Sequence, residues 1–114
     1  MAARWPTKDP DETLDYSVDW SRHLGTETIS AVTWYVSTVD RAKTRIDAGE
    51  TLTVASGGAV TDSIQNVAKT ETDTVATINL AGGEVNTEYT FYCNMTDTAG
   101  RTVERSVKIT VREN

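Results

Sequence analysis

Residues 80 to 111, LAGGEVNTEYTFYCNMTDTAGRTVERSVKITV, constrain the fold of this chain more than any other stretch. Tyr89, Phe91, Cys93 and Met95 alternate with Thr90, Tyr92 and Asn94, so one face is apolar at the period of a pleated strand. Asp97 to Gly100 then supplies turn chemistry, because Asp tolerates tight turns and Gly adopts positive φ without a steric cost. In the run that follows, Val103, Val107, Ile109 and Val111 share one face, and Glu104, Ser106, Lys108 and Thr110 share the other. Two long alternating segments around a short turn predict an antiparallel hairpin and an all-β fold. One residue breaks the pattern: Arg105 falls on the apolar face, which calls for a bulge or an edge position.

The rest of the chain extends the same pattern. Val, Ile and Thr contribute 37 of 114 residues and Leu only four, a bias toward side chains that pack on pleated surfaces. Leu14, Tyr16, Val18 and Trp20 alternate with Asp15, Ser17 and Asp19 to give a half-buried strand, and Val32, Trp34 and Val36 share one face of another over 28–37. Ser21 to Glu27 reads as a connection. Asp40 to Glu50 reads as a polar loop with a short helical turn. Thr51–Ser56 and Ala59–Gln65 read as short strands across the Gly57-Gly58 turn, and Val67 to Asp73 as another polar connection. Thr74 to Leu80 forms a strand with Ala76, Ile78 and Leu80 inward, and Gly82-Gly83 turns the chain toward Tyr89.

The count is about seven strands at the spacing of an immunoglobulin-like or fibronectin-III-like β-sandwich, with VTWYV as its central tryptophan strand. Residues 13–114 form that single domain, large enough for one core. Residues 1–12 carry two prolines and five charges and read as an extended N-terminal arm.

Charge and residue inventory exclude several function classes. A net charge of −6 and a pI near 4.6 argue against a nucleic-acid-binding surface, which needs a basic stripe. No apolar run reaches membrane-spanning length, and the N-terminal residues do not resemble a signal peptide, so the expectation is folding in a cytoplasm with no membrane partner. The single cysteine, Cys93, has no internal bridging partner and reads as a buried hydrophobe. His23, the only histidine, has no adjacent nucleophile, and one His and one Cys do not make a zinc site. The acids Asp9, Asp11, Glu12, Asp15 and Asp19 lack a calcium-loop glycine. Gly57-Gly58 and Gly82-Gly83 are turn glycines that open no predicted helix. Asn94-Met95-Thr96 matches a glycosylation acceptor by accident within a strand. The sequence therefore predicts no catalytic residue, metal or cofactor.

What remains are side chains suited to contact. Trp20, Trp34, Tyr89 and Phe91 sit on inward faces and are explained by core packing. Trp5, in a polar arm, is either tucked onto the sandwich or an anchor for a partner. Tyr35 and Tyr92 project from the opposite faces of their strands. Arg41, Lys43 and Arg45 form the only basic cluster, flanked by Asp40, Asp47 and Glu50, a weak phosphate site and a better solvated loop. Trp5, Tyr35, Tyr92, Arg41, Lys43 and Arg45 are the candidate partner-binding residues.

KDPDETLDYSVDWS (Lys8 to Ser21), VTWYV, the strand ending in an AGG turn, and TEYTFYCNMTDTAGRTVERSVKITV together resemble a family of small tailed-phage virion proteins described as fibre-tail adaptors. The most specific parts are the Lys-Asp-Pro-Asp start, the Leu-Asp-Tyr-x-Val-Asp-Trp strand and the closing Gly-Arg-Thr-x-x-Arg-Ser stretch. The resemblance implies a non-enzymatic immunoglobulin-like domain on the virion, joining fibres to the tail. Its partners would be tail tube or nozzle, fibre, or head-tail junction proteins, met by multiple copies in a symmetric assembly. Two alternatives share the fold: a capsid or neck decoration protein, and a polysaccharide-binding module, the latter disfavoured by the missing acid pair. Copy number separates the first two, since a junction carries about a dozen copies or fewer and a capsid surface hundreds.

Overall fold

The computed structural model describes residues 3–4, 7–9, 12–38, 41–52, 64–84 and 86–112. Eight strands and one helical turn follow in chain order: β1 (Ala3–Arg4), β2 (Thr13–Asp19), α1 (Ser21–Leu24), β3 (Ile29–Thr38), β4 (Arg41–Arg45), β5 (Ile64–Glu71), β6 (Val75–Gly82), β7 (Thr87–Asp97) and β8 (Thr102–Val111). One sheet runs β1-β8-β7-β3-β4 and the other β2-β6-β5, all antiparallel except for the pairing of β1 with β8. The expected all-β sandwich is what the chain forms.

Alternation decides which face is buried. Tyr16, Val18 and Trp20 meet Ala76, Ile78 and Leu80 from one sheet and Val32, Trp34, Val36, Tyr89, Phe91, Cys93, Met95, Val107, Ile109 and Val111 from the other, all within one apolar cluster. The β7–β8 ladder is unbroken from Thr87 opposite Val111 to Thr96 opposite Thr102. Its turn is held by Asp97, whose buried carboxylate accepts N–H bonds from Ala99 and Arg101 on Oδ1 and the Arg101 Nε on Oδ2, each at 2.9 Å. Gly100 completes the turn at φ +87°, where a side chain would be strained.

Arg105 takes an edge position, one of the two expected solutions, and no bulge: among the described residues β8 is paired on that side only from Val107 onward. Arg105 stands opposite Cys93 in regular register, and its guanidinium lies 4.9 Å from the centroid of the Trp20 ring while Nη1 donates to the Asp19 carbonyl at 3.4 Å. Stacking on an aromatic face satisfies a planar cation where a lysine would not fit as well. The parallel pairing by β1 begins at Val107, beyond Arg105.

Two expectations from the sequence are corrected. Residues 41–45 form a strand rather than a loop with a helical turn, because their backbone continues the sheet beside β3, with Tyr35 opposite Arg45 and Val36 opposite Thr44. Residues 67–71 belong to strand β5 rather than to a polar connection, pairing along β6 with an irregularity between Asn66 and Ala68. The link after β2 contains the short helix α1, which buries Leu24. The expected Gly57-Gly58 hairpin lies mostly outside the described residues, although Thr51 bridges Gln65 and Leu52 N–H donates to the Ile64 carbonyl at 2.8 Å.

The lead-in joins the sandwich at both of its described pieces. Ala3 and Arg4 pair with Val107 and Lys108. Lys8 N–H donates to the Thr110 carbonyl at 3.0 Å and the Lys8 carbonyl accepts Arg112 N–H at 2.8 Å. The Lys8 side chain is fully buried, its ammonium donating to the carbonyls of Gly82 at 2.7 Å and Asp9 at 2.9 Å.

Candidate functional site

The five-stranded sheet presents an outer face built from the residues that alternate with its core. On β3 these are Thr33, Tyr35 and Ser37; on β7, Thr90, Tyr92 and Asn94; on β8, Glu104, Ser106 and Lys108. Register lines them up in rows. Arg45, Tyr35, Tyr92 and Ser106 stand directly opposite one another across β4, β3, β7 and β8. Cross-strand neighbours at such positions are close enough for aromatic pairs to touch.

Lys43 binds the centre of this face together. Its ammonium sits 4.9 Å from the ring centroids of both Tyr35 and Tyr92, and it meets the Glu104 carboxylate at 2.7 and 2.8 Å. Glu104 Oε2 also accepts the Asn94 amide at 3.4 Å, and the Tyr92 hydroxyl lies 2.9 Å from the Ser37 hydroxyl. A cation over two rings, closed by a carboxylate, fixes two tyrosines on a rigid surface. The Lys43–Glu104 pair is solvated, so Coulomb attraction alone contributes on the order of 1 kcal/mol or less.

The structure thus brings Tyr35, Tyr92 and Lys43 together, with Arg45 next in the row. Arg45 is turned toward Asp47, its Nε 2.8 Å from Oδ1, a bond that with the adjacent charge raises the guanidinium pKa. Arg41 lies at the start of β4, opposite Thr38. Trp5 is outside the described residues. Sequence reasoning missed Glu104 and Asn94, which reach the cluster only because β7 and β8 pair in this register.

Cys93 has none of the surroundings of a reactive thiol. It is fully buried, and burial pushes its pKa up to about 11, against the opposing hydrogen bond from Trp20. His23 is exposed and stacks edge-on with Trp20 at 5.5 Å. Among the described residues no cluster of three or more metal-ligating side chains occurs.

The family described as podophage GP4 fiber-tail adaptor protein gp77 matches residues 8–110. The chain belongs to this family. It is therefore a structural, tail-associated phage protein, and the adaptor family's match begins at the buried Lys8 and runs nearly to the end of β8. No curated protein matches the chain.

Proposed function

We propose that this protein is a non-enzymatic adaptor that attaches to the phage tail and joins fibres to it, and that it grips its partner through the outer face of the five-stranded sheet. The observation that carries the second part is the pair Tyr35 and Tyr92, directly opposite on neighbouring strands and held under one lysine. Tyrosines supply large, amphipathic contact area at little conformational cost, and pre-ordered aromatic side chains are the usual anchors of protein interfaces. A threonine- and serine-rich surround offers hydroxyls for the rim without burying unpaired charge.

The immunoglobulin-like character belongs to the same reading. Its support is the strand order, β2-β6-β5 facing β8-β7-β3-β4, which follows the arrangement of such sandwiches with β3 as the tryptophan strand. Further support is the Tyr89 hydroxyl, which accepts the Glu84 N–H at 2.9 Å and ties the β6–β7 connection to the start of β7, as a tyrosine corner does.

The test uses virions lacking the endogenous copy, to which purified wild-type and Tyr35→Ala/Tyr92→Ala protein are added. Both residues are half-buried on an outer face, so the double variant keeps its β-type circular-dichroism spectrum. Its attachment should fall at least tenfold, since hot-spot truncations commonly cost about 2 kcal/mol or more each. Equal attachment would remove this face from the interface and shift the contact to the N-terminal arm with Trp5.

A further inference from the structure

Two sheet edges in this sandwich carry opposite charge. In the three-stranded sheet β2 is terminal, and its exposed positions are Thr13, Asp15, Ser17 and Asp19. In the five-stranded sheet β4 is terminal, and its sequence is Arg41-Ala42-Lys43-Thr44-Arg45. Among the described residues no strand pairs with the free side of either one. Unpaired edges are templates for another strand, and charged side chains along them decide which strand is admitted.

The two edges lie on opposite flanks. The end of β2 stacks over β8, because Arg105 covers Trp20 and reaches the Asp19 carbonyl. Strand β5, at the far side of the same sheet, lies by the segment that follows β4: the Asn66 amide donates to the Ile46 carbonyl at 3.0 Å, and Gly49 N–H donates to the Asn66 carbonyl at 2.6 Å. One molecule cannot close its β2 edge on its own β4 edge. Two molecules can.

We propose that copies of this chain associate head to tail, the β2 edge of one adding to the β4 edge of the next. Antiparallel pairing with Asp15 opposite Arg45 sets Ser17 opposite Lys43, with the outward faces of the two sheets continuous through these positions; the irregularity in β4 beyond Thr44 ends the regular register before Arg41. Main-chain hydrogen bonds supply the attraction and the alternate side chains the selectivity. The same charges oppose both symmetric pairings: β2 against β2 sets acid beside acid, and β4 against β4 sets cation beside cation. Only the heterologous contact is left, and a heterologous contact repeats into a ring when its rotation closes. The intramolecular partner of Arg45 does not block this. Its pair with Asp47 is largely solvated on both sides, at 61 % and 51 % side-chain exposure, and such pairs exchange at little cost.

Sedimentation velocity of the purified full-length chain tests the proposal. The wild type should associate with increasing concentration, and more weakly as salt is raised. Asp15→Lys and Arg45→Glu should each weaken association by roughly tenfold or more, since each sets like charges face to face. The double variant, and an equimolar mixture of the two single variants, should recover it, because each again places a cation opposite an acid. Circular dichroism of every variant separates loss of association from loss of fold. A wild type that stays monomeric at all concentrations overturns the proposal. So do single variants that associate like the wild type, or a failure of both the double variant and the mixture to recover. Asp15 is no part of the tyrosine face, and the readout needs no virion, so this result and the attachment result stand or fall separately.

Discussion

The indole Nε1 of Trp20 donates a hydrogen bond to the Cys93 sulfur across 3.4 Å, spanning the two sheets at a point where both residues are fully buried. Here an aromatic donor and a neutral thiol hold the sheets together, and the Arg105 guanidinium lies against the same ring.

The thiol should therefore be silent. With its pKa pushed up to about 11 by burial, Cys93 stays protonated and shielded at neutral pH. Alkylating reagents should label it only as fast as the protein unfolds, and fully in denaturant. Cys93→Ala removes the acceptor of a buried N–H and should cost about 1–3 kcal/mol. Rapid labelling of the folded protein would contradict the structure.

Trp34 is a sterner case. Almost wholly buried on the central strand β3, it should cost about 3–5 kcal/mol on truncation to Ala. A domain of this size has only about 5–15 kcal/mol in total, so the variant should melt far lower or fail to fold, as seen by thermal denaturation.

Asp97 gives the acid limb of the stability curve. Burial opposes its ionisation, but the N–H of Arg101, the Arg101 side chain and the N–H of Ala99 together hold its pKa below the usual carboxylate value. Because the folded value is the lower one, its contribution is present above the unfolded pKa and is lost as pH falls through the folded pKa. Asp97→Asn should be less stable than the wild type at neutral pH, and the two denaturation midpoints should converge as the solution is acidified below that range. Parallel curves at all pH values would refute this.

Lys8 should act as the fastening of the lead-in. Lys8→Met keeps the stem but leaves the Gly82 carbonyl without its ammonium donor, at a cost of about 1–3 kcal/mol. Limited proteolysis should then cut within residues 1–12 faster than in the wild type, and removal of those residues should lower the melting temperature. Unchanged cleavage would show the arm to be held by its backbone bonds alone.

What the sequence disclosed, and what it hid, follows from burial. Strands β7 and β8 were legible because each alternates for ten or more residues around a turn whose chemistry is local. Strands β4 and β5 were not. Both are sheet edges, and neither RAKTR nor the polar half of IQNVAKTE keeps an apolar period. Lys69 even stands opposite the inward-facing Ile78, its ammonium escaping to the Val32 carbonyl at 2.6 Å. Lys8 was hidden for a related reason, since backbone carbonyls receive its charge and carbonyls leave no mark in a sequence. The outward aim of Tyr35 and Tyr92 was readable by parity. Their meeting under Lys43 was not, because it depends on the register of three strands from distant parts of the chain.

The parallel pairing of β1 with β8 has a mechanical consequence. Tension applied through the segments before β1 and after β8 pulls these two adjacent strands past one another along their length. The Ala3–Val107 and Arg4–Lys108 pairs and the two backbone bonds of Lys8 then share the load together, where an antiparallel terminal pair would peel open one bond after another. A sandwich wired this way resists stretching by shear, a useful property in a structural part of a phage tail.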